Sequence, residues 1–135
     1  MRLIGLLCLA LVLSPLSACN IDPNSTLAGD VVAGTYNLTS IDGQSLPFVQ
    51  PNSSPQTAIV SGTFVAAKDG SFSESRVIRT VSSGATQTVV TTGQLQIGGA
   101  VLSYTLTGGV SGLGSIAANQ LTLQFAAGTF LYTRV

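Results

Sequence analysis

Several chemically useful side chains are absent from this sequence or nearly so. It has no histidine and no tryptophan, and only 7% of its 135 residues are charged, against about 25% in an ordinary globular protein. Its two cysteines, Cys8 and Cys19, both lie near the N-terminus. Without histidine the chain lacks the base of Ser–His and Cys–His nucleophile chemistry, and it lacks the usual ligands of zinc, copper and iron. The composition therefore predicts a protein that is not an enzyme and that holds neither metal nor other cofactor.

The charges that are present also exclude a class of partner. Five Lys and Arg residues balance five Asp and Glu residues, so the formal net charge is zero, and no basic cluster occurs. Nucleic acid is therefore not expected as a partner. Sixteen Ser and fifteen Thr supply the polar surface instead, and a hydrophobic content of 45% is enough to build a core.

The N-terminal segment has the pattern of a signal peptide. Arg2 is followed by an apolar run over residues 3–13, which Ser14 and Pro15 interrupt. A helix of that length spans about 16 Å, roughly half of a hydrocarbon core of about 30 Å. We therefore expect a signal helix within residues 1–18 that is later removed, and not a permanent membrane span.

The end of this segment carries a recognisable motif. Leu16-Ser17-Ala18-Cys19 resembles the lipobox of bacterial lipoproteins. The resemblance implies that Cys19 becomes the first mature residue and receives acyl chains such as palmitate, so that the membrane is a partner through lipid. Two or more chains give stable anchoring where one is marginal. Asn20 stands where inner-membrane lipoproteins of enterobacteria carry Asp, which favours the outer membrane of the cell envelope, facing the periplasm or the cell surface. An ordinary secretory signal with an incidental cysteine is the alternative.

The remaining chain divides into a tether and one domain. Residues 19–30 are rich in turn formers and are expected to form a lipidated tether, and residues 31–135 are expected to form the domain. In the domain Thr, Val, Ile, Phe and Tyr are abundant, turn residues recur about every 8 to 12 positions, and no window has helical periodicity. The predicted strands are residues 34–41, 57–67, 71–81, 86–97, 101–106, 112–117, 121–125 and 129–135.

About eight short strands joined by tight turns indicate an all-β fold. We expect an antiparallel up-and-down meander that closes into a small barrel, since closure removes the exposed sheet edges. A two-sheet sandwich is the competing architecture. The interior of such a barrel is either filled by side chains or shared with one small ligand.

Three short motifs extend the resemblance to the domain. G-T-Y-x-L-x-x-I-D-G-x-x-L-P at residues 34–47, D-G-S-F at 69–72 and G-T-F-L-Y-T-R at 128–134 resemble small lipocalin-like lipoproteins of bacteria. In lipocalins an Arg near the last strand packs across a Trp of the first strand. Tyr36 and Arg134 occupy the matching positions, so the resemblance implies that Arg134 packs across Tyr36 in a lipocalin-like barrel.

Few polar residues of the domain are candidates for contact with a ligand. Glu74 and Arg76 share a strand face with Phe72, so an inward face would bring both charges into the barrel. We expect instead that this face meets solvent, with Val77 and Val81 pointing inward. Tyr104 and Tyr132 alternate with apolar residues and are expected in the core with hydroxyls near the rim. The candidate ligand-binding residues are Tyr36, Glu74, Arg76, Tyr104 and Arg134.

The remaining acids and glycines are interpreted as structural. Asp42 and Asp69 each precede a glycine, and we expect them to cap turns by accepting hydrogen bonds from local amides. Gly108 and Gly109 precede no helix and form a turn, not a phosphate loop.

Two functional hypotheses follow for a lipid-anchored barrel. The first is a binding module that holds an apolar or amphipathic small molecule in the cell envelope. The second is a structural or protein-interaction lipoprotein with a solid barrel, which acts through its outer surface. The scarcity of charge suits both hypotheses, and no residue pattern indicates a particular protein partner.

Overall fold

The structure, a computed structural model, describes residues 26–98 and 101–135, with side chains from residue 29 onward. This part of the chain contains one helix, α1 (Thr26–Val32), followed by ten strands. The strands are β1 (Gly34–Ile41), β2 (Gln44–Ser45), β3 (Phe48–Val49), β4 (Thr57–Ala66), β5 (Ser71–Thr80), β6 (Thr86–Gly98), β7 (Val101–Leu106), β8 (Ser111–Ala117), β9 (Gln120–Phe125) and β10 (Gly128–Arg134).

Eight of these strands form a closed antiparallel barrel. From β4 to β10 each strand pairs with the next along the chain, and β1 closes the barrel by pairing with both β10 and β4. The short strands β2 and β3 pair with β1 and β4, respectively, at the level where β1 and β4 no longer pair with each other. The predicted all-β barrel is confirmed, and the competing sandwich is wrong.

The strands lie where the sequence predicts them because alternation governs their burial. Along β4, Phe64 and Ala66 are buried while Val65 between them is 45% exposed. The same alternation recurs along β7 and β9, where buried leucines and Tyr104 face the interior. The first and last residues of each of the eight predicted strands lie within one position of the first and last residues of a barrel strand in the structure.

Helix α1 differs from the prediction, which placed residues up to 30 in a tether. A helix of seven residues has little stability of its own, and its carbonyl groups find partners on the barrel. Arg134 Nη2 donates to the Val31 carbonyl at 2.7 Å, and Tyr36 Oη donates to the Val32 carbonyl at 2.7 Å. The local sequence does not reveal the contact with Arg134, which lies 103 residues from Val31.

The N-terminal predictions fall elsewhere in the chain. The predicted signal helix and the lipidation of Cys19 lie outside the described residues. Within residues 26–98 and 101–135, no helix combines the length and the apolar character that a membrane crossing requires.

Candidate functional site

Glu74 and Arg76 form an ion pair inside the barrel. The Glu74 side chain is fully buried, the Arg76 side chain is 15% exposed, and Arg76 Nε donates to the Glu74 carboxylate at 2.9 Å. The prediction that this face of β5 meets solvent is wrong, and Val81, expected inside, is 46% exposed. Phe72 is buried, and strand alternation turns the side chains two and four residues later to the same side.

A third residue, Tyr132, gives the buried Glu74 carboxylate a second hydrogen-bond donor. Tyr132 Oη, on β10, donates to the Glu74 carboxylate at 3.0 Å, so both the ion pair and a neutral donor satisfy the carboxylate. Burial raises the pKa of Glu74 despite the opposing effects of Arg76 and Tyr132. Burial and the neighbouring Glu74 carboxylate together raise the pKa of Tyr132, which keeps its hydroxyl protonated as a donor.

Aromatic rings inside the barrel form a closed circuit that contacts the ion pair. Neighbouring ring centroids in this circuit are 4.9 to 6.4 Å apart. Its members, called the aromatic circuit below, are Phe64, Phe72, Tyr104, Phe125, Phe130 and Tyr132. The Arg76 guanidinium lies 5.4 Å from the ring centroid of Phe125 and 5.3 Å from that of Phe130, within cation–π distance of both. Side chains therefore occupy the interior at this level.

Tyr104 is in the core, as predicted, but its hydroxyl is already engaged. Its side chain is buried, and the hydroxyl donates to the carbonyl of Gln124 on the neighbouring hairpin. Burial raises its pKa. Tyr104 thus packs within the aromatic circuit and does not offer its hydroxyl to the interior.

Tyr36 and Arg134 meet next to helix α1, away from the ion pair. The Arg134 guanidinium lies 5.1 Å from the Tyr36 ring centroid, and its Nη2 donates to Tyr36 Oη at 2.6 Å. The packing implied by the lipocalin-like resemblance is thus present. Because Arg134 also donates to the Val31 carbonyl, both side chains hold α1 against the barrel.

The five candidate ligand residues therefore form two separate groups. Glu74, Arg76 and Tyr104 belong to the filled middle of the barrel, whereas Tyr36 and Arg134 belong to the helix contact. Among the described residues, no buried side-chain nitrogen or oxygen lacks a hydrogen-bond partner. The buried polar groups of this region are thus satisfied by the protein itself.

The outer wall carries a shallow depression that the sequence analysis did not foresee. It encloses about 770 Å³ and is open to solvent. Outward-facing residues line much of it, including Val65, Ser73, Thr92, Gln94 and Thr105. Gly93 lies at its floor, and a side chain there would collide with the Thr105 carbonyl and the Phe72 ring. Gly93 therefore permits a close approach of β6 to its neighbours that a side chain would prevent.

The first half of β6 is a second unforeseen feature of the outer wall. Residues 86–92 pair with β5 on one side, whereas pairing with β7 begins only at Gly93. The sequence does contain a signal for this feature, because the predicted strand of residues 86–97 is twice as long as its hairpin partner, residues 101–106. A long strand next to a short one leaves part of its edge unpaired.

The structural interpretation of the aspartates is confirmed in part. Asp69 Oδ1 accepts hydrogen bonds from the backbone and the hydroxyl of Ser71 at 2.9 and 2.6 Å, as a local turn cap does. Asp42 is also structural, but the predicted local partner is wrong, because its carboxylate accepts from the Thr129 amide, on β10, at 2.8 Å. Antiparallel pairing of β1 with β10 brings these distant residues together.

Known proteins give no further guidance to the function. Comparison with protein-family models, curated proteins and solved structures finds no match for this chain. Within the part of the chain that the structure describes, no three His, Cys, Asp or Glu side chains cluster closely enough to hold a metal ion. The function is therefore argued from the interior and the outer wall of the barrel.

Proposed function

We propose that this protein is a lipid-anchored β-barrel of the bacterial cell envelope that acts through its outer surface as a structural or protein-interaction module. The observation that carries this proposal is the filled interior. The aromatic circuit contacts the Glu74–Arg76 pair through Phe125, Phe130 and Tyr132, and a small molecule at that level would have to displace packed rings. Displacing them would also separate a buried carboxylate from its partners, at a large energetic cost.

The outer wall has the composition of a contact surface. The outward side chains of β6 from Thr88 to Gln96 are uncharged, and Val90 is 61% exposed. On β8, Leu113 is 54% exposed. Charged residues are depleted in the core of protein interfaces, so an uncharged wall with exposed β-branched and aliphatic side chains suits a protein partner.

The membrane anchor in this proposal is the acylated Cys19. The acylation of Cys19 is inferred from the lipobox resemblance alone. Acyl chains would confine the barrel to a membrane surface, which raises its effective concentration near other envelope proteins. A weak contact of the outer wall would then be sufficient for function. We place the protein in the outer membrane for the same reason, since Asn20 follows the cysteine.

The proposal is tested by photocrosslinking in intact host cells. A benzophenone amino acid replaces Val90 on the uncharged wall, and in a matched control it replaces the exposed Thr129 on β10. We expect a discrete crosslinked species with Val90 and none with Thr129. Equal, diffuse labelling at the two positions would contradict the proposal.

Native mass spectrometry of protein purified gently from the host membrane tests the alternative ligand-binding function. We expect the mass of the acylated chain with no stoichiometric small molecule. A bound small molecule that is lost in the double variant Glu74→Leu/Arg76→Met would overturn the proposal, because that variant changes the barrel interior without changing a residue of the outer wall.

A further inference from the structure

The first half of β6 presents an open sheet edge. The Leu95 amide donates to the Gly70 carbonyl on the β5 side at 2.7 Å, whereas the Thr92 carbonyl accepts from Thr107 on the β7 side at 2.9 Å. Since backbone groups alternate sides along a strand, those of Thr88 and Val90 point away from β5. No residue within 26–98 or 101–135 pairs with them.

Elsewhere the fold covers edges of this kind. Where β1 stops pairing with β4, β2 pairs with β1 and β3 pairs with β4. No such strand lies beside residues 86–91, and their sequence, T-Q-T-V-V-T, contains no lysine, proline or other protective residue. The strand is regularly paired with β5 along this stretch, without a bulge.

We propose that a second copy of this chain pairs with this edge, antiparallel and about a two-fold axis at Thr88. The proposal rests on the proposed function, because it names the partner of the outer wall. Thr88 then faces Thr88 of the other copy, and Val90 faces Thr86. All of these residues point their backbone groups toward the shared edge, so each facing pair can exchange hydrogen bonds.

The length of this pairing agrees with the part of the β6 edge that is open. Pairing centred on Thr88 extends to Val90 and stops before Thr92, whose carbonyl is already bonded to Thr107. The outward side chains that meet across the axis are Thr and Val, which stabilise antiparallel pairs. Two continuous barrel walls would thus join into one sheet.

Charge favours a second copy as the occupant. β6 contains no charged residue, so an identical edge meets it without repulsion. The exposed charge on the flanking strand is Arg79, which pairs with Thr86. In the paired dimer the two Arg79 residues are three strand spacings apart across the sheet and four residues apart along it, about 20 Å in all, and this exceeds the screening length of about 8 Å at physiological salt.

Disulfide trapping tests the two-fold axis directly. The full chain carrying Thr88→Cys is expressed in host membranes and oxidised with copper phenanthroline. Directly opposed residues of a hydrogen-bonded pair lie about 5.5 Å apart, within disulfide range. We expect a disulfide-linked dimer for Thr88→Cys and only the background of the parent chain for the matched variant Thr129→Cys. Equal dimer yields for the two variants would overturn the proposal.

A charge exchange at the same position separates loss of pairing from loss of folding. Thr88→Lys and Thr88→Glu each place like charges across the axis, and we expect each to reduce the dimer fraction about tenfold or more. Coexpression of the two variants with different affinity tags should restore a mixed dimer. Dimers that persist in both single variants, or a mixed dimer that does not form, would overturn the proposal.

These outcomes are distinct from failure of the proposed function. A crosslinked species at Val90 that contains a different protein, with no dimer in the Thr88 experiments, would overturn edge pairing and leave an interaction module in place. A stoichiometric small molecule inside the barrel would overturn the proposed function instead.

Discussion

Tyr132 and Glu74 lie 58 residues apart in the sequence, yet the tyrosine hydroxyl donates to the buried carboxylate at 3.0 Å. Together with Arg76 they form a network whose members come from β5 and β10, on different parts of the barrel wall. A carboxylate without such partners would not be retained in an aromatic interior at neutral pH. Glu74 therefore has all of its partners only when the barrel is closed, because closure brings Tyr132 to it.

Removal of one partner from this ion pair should destabilise the barrel strongly. Arg76→Met leaves the Glu74 carboxylate buried without its cation, and we expect a loss of about 3–5 kcal/mol in the free energy of unfolding. The double variant Glu74→Leu/Arg76→Met removes both charges and should regain most of that loss. Urea denaturation followed by circular dichroism measures each value. Additive losses in the double variant would contradict the expected coupling.

The pH dependence of stability should show the burial of Glu74. Its pKa is raised above the ordinary value of 4.5 in the folded state, chiefly by burial. The folded state therefore binds this proton more tightly than the unfolded state. The contribution of Glu74 to stability falls as pH rises from about 4.5 through the folded pKa. Relative to Glu74→Gln, the parent should gain stability as the pH is lowered from neutral toward 4.5.

Asp69 provides a control of opposite sign for this measurement. Hydrogen bonds from Ser71 lower its pKa below 3.8. Its stabilising effect is therefore present above that value and is lost as pH falls through the folded pKa. Asp69→Asn should leave the slope between neutral pH and 4.5 unchanged. If Asp69→Asn and Glu74→Gln altered this slope equally, the assignment of the slope to Glu74 would be wrong.

The contact between Arg134 and Tyr36 should govern the stability of helix α1. Arg134→Ala removes the cation–π contact and the donor to the Val31 carbonyl, worth about 2 kcal/mol together. We expect the Ala33 amide, which donates to Gly29 in α1, to exchange at least about tenfold faster with solvent deuterium. Amides of β10 should retain their protection. The Tyr36→Phe variant keeps an aromatic ring under the guanidinium but loses the donor to the Val32 carbonyl, so it should also accelerate exchange of the Ala33 amide.

The sequence predicts the barrel well because its strands depend on local alternation. Tyr36 and Leu38 on β1, or Leu121 and Leu123 on β9, alternate with polar residues in any window that contains them. The turn aspartate Asp69 is equally local, since it bonds to Ser71. These features follow from neighbours within a few residues, and the sequence supplies them directly.

The interior was mispredicted because its determinants are distant in sequence. The alternation on β5 allows either face to point inward, and the expectation of Val77 and Val81 inside places Glu74 and Arg76 in solvent. The partner that favours the other face, Tyr132, reaches Glu74 only through barrel closure. Helix α1 was missed for a similar reason, because the donor to its Val31 carbonyl is the distant Arg134. Long-range partners of single polar side chains leave no periodic trace in the sequence.

Gly93 should be intolerant of a side chain, in contrast to a nearby glycine on the same strand. A Cβ at Gly93 would overlap the Thr105 carbonyl and approach the Phe72 ring to 2.8 Å, whereas one at Gly98 would meet nothing within 4 Å. We expect Gly93→Ala to lower the free energy of unfolding by about 1–3 kcal/mol or more. Gly98→Ala should change it by less than about 1 kcal/mol. Equal effects of the two variants in thermal denaturation would contradict the close packing at Gly93.

Cys19 should determine whether the protein is attached to a membrane. The lipobox resemblance makes its thiol the site of acylation, so Cys19→Ala should abolish incorporation of labelled palmitate and leave an unprocessed or soluble chain. The matched variant Cys8→Ala removes the other cysteine of the chain and should remain acylated and membrane-bound. Labelling and fractionation of host cells measure both properties. Membrane retention with acylation in Cys19→Ala would refute the anchor. Retention without acylation would indicate that the uncleaved apolar segment, and not lipid, holds the chain at the membrane.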